Sequence, residues 1–433
     1  MNNYISILDK GVRNLGSILS KNSKIDGRII AFFFLITYFS MIYISSLVMP
    51  YDQFWAYLGV PSMSPSFADL RNITSALECD RQGFDPLINN PCDPWNRPMN
   101  YPRIWLGLSS LGLDQSHTFI LGLFLAVLFY ACIFFIVITK RLNVSEGLIY
   151  GLVLCSPAVM LAVERGNNDM VIFIFLGLCV FLIQKQRILP YFLILIASIL
   201  KLYPILGIFI AIRENKRLFI IITSIMSTIL FIYFMYIYKD IALINTFMPK
   251  SAHISYGSRV IFDGLNVFFQ KIPIIGSDGI PEIFRKTFSF IGILIVLVSA
   301  YWWAYKNRGL SVLNTEQIDS FRMGAIIYIG TFIIIGNNWD YRLIFLILTL
   351  PQLFAGIKNQ NELSDYAVFL LIAILFTMYS SLISKMIGGY FVFPLEELIN
   401  WLIFACFIYV LLLTLPDWLK TKLRLKNFQI DYG

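Results

Sequence analysis

Long apolar runs separated by short polar or basic stretches recur through most of the chain. A helix needs about 20 predominantly apolar residues to cross a bilayer. That pattern predicts ten full spans, at residues 28–49, 118–139, 146–163, 169–184, 217–238, 288–305, 320–336, 340–356, 366–384 and 397–415. One further apolar run is broken by Lys201-Leu-Tyr-Pro204 and reads as two half-helices, 188–200 and 203–212, folding back at Pro204. Proline removes a backbone donor and clashes with the preceding turn, and broken backbone survives at membrane depth only against protein or a wet cavity. Ahead of the first span, Ile5, Leu8, Val12, Leu15 and Leu19 recur at helical spacing with Lys10 and Arg13 between them. Residues 1–27 therefore read as a basic interfacial helix. The predicted fold is all-α and polytopic: about ten spans, a half-helix hairpin, and amphipathic helices in the first external loop.

Charge placement orients this pattern. Lys21, Lys24 and Arg28 precede the first span, and Lys140-Arg141, Lys185 with Arg187, Lys306 with Arg308, Lys358 and the basic tail 420–433 fall on the same side of the alternation. The positive-inside tendency makes that side cytoplasmic, with both termini inside. A single crossing through residues 188–212 would put the basic cluster 213–217 outside, which is why the hairpin is preferred. The first loop, residues 50–117, carries seven acidic and four basic residues and belongs outside, with a second large loop at 239–287 containing His253, Tyr256, Arg259 and Asp263. No small-residue cleavage site follows the first span, which reads as an uncleaved anchor. The domain reading is one transmembrane unit, 28–419, in a bacterial cytoplasmic membrane. Composition agrees: 58% hydrophobic, 14% charged and a mean hydropathy of +0.72 exceed the needs of a soluble core. The net charge of +8 is scattered between spans, so no nucleic-acid partner is expected.

The external loop offers the first candidate chemistry. Phe67, Leu70, Ile73 and Leu77 mark one face of an amphipathic helix, leaving Asp69, Arg71, Glu78 and Asp80 wet. Asp69 reads either as a catalytic base or, through Ser66-x-x-Asp69, as part of a capping box. Asp80 and Glu164 are reserve acids, while Asp85 before Pro86 shapes a turn. Cys79 and Cys92 lie close enough in the same loop to form a disulfide. Lys201 either sits at the hairpin apex, where it needs an anion or a wet crevice, or snorkels to an interface. In the turn Glu164-Arg-Gly-Asn-Asn-Asp169, capping accounts for the Asn, Asp and Gly residues but not for Glu164 and Arg165. No zinc pattern, phosphate-binding glycine loop or dinucleotide fingerprint occurs. No cofactor is expected, and nothing in the sequence supports a divalent metal.

Acids and cations on the external side of a bundle suit transfer of a group from a lipid phosphate, because nucleotide donors are not expected there. A carboxylate takes the acceptor's proton and cations stabilise the departing phosphate. Phe67-Ala-Asp69, Gly83-Phe-Asp-Pro86, Asn100-Tyr-Pro102, Arg165-Gly-Asn-Asn-Asp169, Lys201-Leu-Tyr-Pro204 and Trp339-Asp-Tyr-Arg342 occur in that order over most of the chain. Their order resembles that of the GT-C class of polyprenol-phosphate-dependent glycosyltransferases, in particular the bacterial family 87 group that includes mycobacterial mannosyltransferases. The resemblance implies a GT-C-like bundle and inverting transfer of a mannose-like sugar from a polyprenyl-phosphate donor to a glycolipid or glycan acceptor. It implies Asp69 as general base, with Lys201, Arg342, Arg259, Arg165, Tyr203, Asn168, Asp169 and Asp340 around the substrate. It also implies that the segment with Ile104, Trp105, Leu108 and Leu111 is a second surface helix. Asp340 departs from the pattern, standing where related proteins often carry His. A polysaccharide polymerase or ligase is the alternative, and a lipid-glycan transporter a more distant one, since no inverted repeat is evident.

Overall fold

The computed structural model describes residues 24–248, 251, 254–270, 279–307, 317–358 and 364–425. The expected interfacial helix before residue 24, His253, Arg308 and the tail beyond residue 425 lie outside the described residues. The chain is an all-α polytopic membrane protein. Its helices are α1 (Gly27–Ser46), α2 (Tyr51–Tyr57), α3 (Ala68–Arg81), α4 (Thr118–Cys132), α5 (Val144–Leu154), α6 (Pro157–Arg165), α7 (Asp169–Leu182), α8 (Leu189–Leu200) and α9 (Lys216–Phe247). They continue as α10 (Val260–Gln270), α11 (Glu282–Lys306), α12 (Ile318–Ile334), α13 (Leu350–Lys358), α14 (Ser364–Ile387), α15 (Gly389–Leu413) and α16 (Asp417–Lys422). Helix covers each expected span. Among the described residues, however, only seven helices are long and apolar enough to cross a membrane alone, or eight if the α5–α6 pair, bent by 48°, is one span. The bend follows from Pro157 at the start of α6, with Ser156 capping it through Val159 N.

Burial sorts these helices into a centre and a rim. In the most apolar 18-residue stretch of Asp340–Lys358, 83% of the residues are buried, against 11% in the corresponding stretches of α1 and α9, which present apolar side chains outward. Outward apolar surface of that extent needs lipid to cover it. The hairpin residues form α8 and then a 3₁₀ helix, Tyr203–Arg213, so the second half-helix is more tightly wound than an α-helix. A second long 3₁₀ helix, Asp340–Thr349, leads into α13. Runs of this type beyond three or four residues are uncommon and mark strain or function. Each carries a residue of the polar cluster described below in its first turn, Tyr203 in one and Arg342 in the other. The loop expected at 239–287 is shorter than its sequence suggested, because α9 extends to Phe247, α10 forms within it and α11 starts at Glu282. Ser255 and Tyr256 pair antiparallel with Trp339 and Asn338.

The segment between α1 and α4 is fastened to the bundle at several points. Cys79 and Cys92 are bonded, closing the stretch after α3. The second surface helix is present as a 3₁₀ helix, Arg103–Leu111, and Trp105 Nε1 donates to Leu200 O at 3.1 Å, docking it on the end of α8. Arg103 bridges Asp85 at 2.7 Å and Asp240 of α9 at 3.0 Å, and its bond to Asp85 holds that carboxyl below its ordinary value. Asp85 also shapes its turn by accepting from Leu87 N. Glu164 and Arg165, which capping left unexplained, are fasteners too. Glu164 accepts from Tyr51 OH at 3.0 Å and Met63 N at 3.2 Å, while Arg165 reaches Pro61 O at 3.2 Å.

Phe67 is the pivot of this docking. Its backbone is left-handed, with φ of 59°, and its N–H donates to Glu164 O at 3.0 Å. Its ring lies against Gly122, where an added Cβ would fall 2.6 Å from it. Gly166, with φ of +56°, ends α6 and leaves a Cβ only 3.0 Å from Leu70 and 3.2 Å from Phe67. A side chain there meets both backbone strain and a packed neighbour. Gly166→Ala should cost about 1–3 kcal/mol, read as a lower thermal unfolding midpoint in detergent, while an Ala at the open Gly107 should leave the midpoint nearly unchanged.

Candidate active site

The α6–α7 turn brings the candidate residues together. Gly166 reverses the chain, and Asn167 then uses both ends of its amide. Its Oδ1 accepts from Asp169 N at 2.9 Å, which orders the start of α7, and its Nδ2 donates to Asp69 Oδ2 at 2.5 Å. Asp69 lies in the first turn of α3, where a helix N-terminus favours an anion. The capping-box reading does not hold: α3 starts at Ala68 behind Phe67, and no side chain caps it. Asp69 is half-buried, and its Oδ1 has no hydrogen-bond partner among the described residues. Arg97 braces the preceding carbonyl, donating to Ala68 O at 2.6 Å while paired with Asp93 at 2.9 Å.

Behind Asn167 sits a buried ion cluster centred on Asp169, whose side chain is fully buried. Lys201, in the break between α8 and the Tyr203–Arg213 helix, places Nζ 2.7 Å from Asp169 Oδ1 and 2.8 Å from Asn168 Oδ1. Tyr203 OH donates to the same Asp169 oxygen at 2.7 Å. Lys201 therefore finds an anion rather than snorkelling to an interface. Arg342, near the start of the Asp340–Thr349 helix, approaches Asp169 Oδ2 at 3.4 Å and is fixed by NH1 donating to Asn338 Oδ1 at 2.8 Å. Asn338 is anchored in turn by its amide on Thr331 O at 2.9 Å. Aromatic faces wall the two cations. Lys201 Nζ is 5.7 Å from the Tyr101 ring and 5.8 Å from Tyr203 and Tyr341, and Arg342 lies 5.2 Å from Tyr203. Asp69 is near enough for its charge to act on Lys201 and Tyr101. Burial, with Asp69's charge second, pushes the Tyr101 phenol well above its ordinary value, so it stays a neutral donor.

Hydrogen bonding inside this cluster is incomplete. Asn168 Nδ2 is a donor buried without a hydrogen-bond partner among the described residues, while Arg342 Nε and Asp169 Oδ2 face each other as an ion pair at 3.4 Å without a well-formed hydrogen bond. Buried polar groups are nearly always paired, so the unpaired Asn168 donor beside two cations fits an anionic ligand.

The other expected residues lie elsewhere. Arg165 and Glu164 face the Pro61–Met63 stretch rather than Asp169. Arg259 caps the end of α12 through Ile335 O and lines a hollow of 230 Å³ with Asp263, Arg285 and Asn337. Asp80 sits eleven residues beyond Asp69 on α3, about 16 Å along the helix. Asp340 is buried and faces Glu396 of α15, with Glu397 beside it, rather than the Asp169 cluster. Asn167, Tyr101, Tyr341, Asn338 and Arg97 belong to the site and were not singled out from sequence. Asn167, Tyr101 and Tyr341 lay inside quoted motifs, whereas nothing in the sequence marks Arg97. Among the described residues no group of three or more His, Cys, Asp or Glu side chains is arranged to hold a metal ion. No protein-family model, curated protein or solved structure matches the chain.

Removing Asp169 strands two buried cations. Asp169→Ala should lower stability by about 3–5 kcal/mol, and adding Lys201→Met should recover part of that loss. A double-mutant cycle on thermal unfolding in detergent checks it; additive losses would show that Lys201 and Asp169 are uncoupled.

Proposed function

We propose that the protein is a membrane glycosyltransferase with a GT-C-like bundle that moves a sugar, mannose-like by the sequence resemblance, from a polyprenyl-phosphate donor to a glycolipid or glycan acceptor. In this reading the positive-inside tendency of the basic connections supports a non-cytoplasmic Asp69 end in a bacterial inner membrane, with both termini in the cytoplasm. The observation that carries it is the pairing of a half-buried carboxylate with a two-cation cluster through one residue, Asn167, beside an Asn168 amide donor that is buried without a hydrogen-bond partner among the described residues.

The chemistry follows from those positions. The acceptor hydroxyl oxygen attacks the anomeric carbon as its proton passes to Asp69 Oδ1. The bond between that carbon and the phosphate oxygen breaks, and the electron pair leaves with the lipid phosphate. Backside attack inverts the anomeric centre. Charge builds on the leaving phosphate, where Lys201, Arg342 and the Asn168 amide would receive it. Tyr101, Tyr203 and Tyr341 offer flat apolar faces of the kind a sugar ring stacks on, and Asn167 holds Asp69 in place between turnovers.

A transporter is the second reading, favoured by the break between α8 and the Tyr203–Arg213 helix, since interrupted helices line transport sites. Purified protein given polyprenyl-phosphate sugars should release free lipid phosphate only when acceptor is present. Asp69→Asn should cut that release by about 10²–10⁴-fold with an unchanged unfolding midpoint. Full turnover in the variant would remove Asp69 from the reaction, and movement of lipid between vesicle leaflets without bond cleavage would favour transport.

A further inference from the structure

Eight acidic side chains are buried among the described residues. Asp93, Glu146, Glu164, Asp169 and Asp319 each form an ion pair with a Lys or Arg. The other three, Asp340, Glu396 and Glu397, have no ion-pair partner among the described residues, and they lie together. Asp340 opens the Asp340–Thr349 helix and faces Glu396 of α15, and Glu397 is near enough for both other charges to act on it. Glu397 is 0% exposed and the other two 3% each. A carboxylate charge buried without a cation is costly, and inside a membrane bundle such acids mark sites of function.

Neighbouring helices offer hydroxyls and an amide where a cation would be expected. Ser380 Oγ of α14 donates to Glu396 Oε1 at 2.5 Å, and Asn400 Nδ2 donates to Glu397 Oε1 at 3.2 Å. The Asn400 amide is held that way round by Thr377 Oγ1 and Tyr328 OH, which donate to its Oδ1 at 2.7 and 3.3 Å. Glu397 Oε2 and Asp340 Oδ1 are left over, each closed to solvent with no hydrogen-bond partner among the described residues. Both are acceptors with nothing to accept. A hydrated ion needs room that atoms closed to solvent do not have, whereas a proton needs none. Bound to a carboxyl oxygen, a proton removes the charge and turns an acceptor into a donor.

The surrounding titratable groups leave that solution open. Those facing the cluster from other elements are the phenols of Tyr328 on α12 and Tyr256 on the Ser255–Tyr256 strand. Arg342, two residues beyond Asp340, turns to Asn338 and Asp169. No Lys, Arg or His on α10, α11, α12 or α14, which pack against α15 or the Asp340 helix, comes within ion-pair distance of the three among the described residues.

We propose that Asp340, Glu396 and Glu397 form a proton-binding site inside the bundle, in which at most a single carboxyl of the three is ionised at neutral pH. Carboxyls this close titrate as a unit. Losing the bound protons would set like charges against one another at the start of the helix that carries Arg342. The site stands apart from Asp69 and Asp169, so the inference does not rest on the sugar-transfer reading.

The test compares purified full-length protein with Glu396→Gln, Glu397→Gln and Asp340→Asn in nanodiscs at neutral pH. Infrared difference spectra should show the C=O band of a protonated carboxyl lost in at least two of the three variants. The folded protein binds protons that the unfolded chain releases, so the wild-type unfolding midpoint should fall as pH rises above neutral. Glu396→Gln/Glu397→Gln should lose most of that fall, because Gln copies the protonated form. Carboxylate bands lost in place of the carboxyl band in all variants that fold, or a wild-type midpoint that does not fall, would overturn the site. A midpoint raised by sodium or potassium ions in wild type but not in the variants would also overturn it, assigning the cluster to a metal cation. Neither readout involves sugar transfer, so failure here leaves that reading untouched.

Discussion

A lysine inside a membrane bundle must meet an anion, and the Lys201–Asp169 pair meets that requirement here. The pair joins two breaks in the helical pattern: the α6–α7 turn and the gap between α8 and the Tyr203–Arg213 helix. Arg342 joins from a third, the 3₁₀ start of the Asp340–Lys358 segment. Each break frees backbone groups that a continuous helix would satisfy, so each is tolerable only where protein surrounds it. The polar cluster and the irregular backbone therefore support one another. Mutual attraction in a low-dielectric interior balances a desolvation cost that neither charge could sustain alone.

Asp69 depends on that cluster although it belongs to a different part of the chain. Its helix is short and lies in a loop segment, so its position comes from docking rather than from a span. Phe67 in the Gly122 groove, Glu164 on Tyr51 and Met63, and Arg97 on Ala68 O fix the start of α3 from three directions. Asn167 completes the arrangement because one amide both orders α7 and holds the carboxylate. The Asp69 carboxylate and the cations are thus referred to the same turn between α6 and α7.

The all-α, multi-span character was legible in the sequence because span length is a one-dimensional signal, whereas the count was not, since among the described residues only seven helices, or eight with the bent pair joined, are long and apolar enough to cross. Pro204 next to Lys201 announced the broken helix, and Cys79 with Cys92 announced the bond that closes the loop. The 3₁₀ winding of residues 203–213 and 340–349 was not legible, since local sequence does not distinguish it from α-helix. Partner choice was legible only in part. Lys201 signalled a need for an anion, but only packing selects Asp169, 32 residues earlier. Glu164 and Arg165 were visible as unexplained charges, yet their partners Tyr51, Pro61 and Met63 lie about 100 residues upstream. Glu396 was passed over because a charge at the edge of an apolar run reads as loop, whereas α15 begins at Gly389 and buries it.

The indole of Trp105 sits on the carbonyl of Leu200, the last residue of α8. A carbonyl at a helix end in an apolar setting keeps its lone pair occupied or loses energy. The Trp105 bond therefore supplies the end of α8 with a donor one residue from Lys201, tying the stability of the broken helix to the docking of the surface segment.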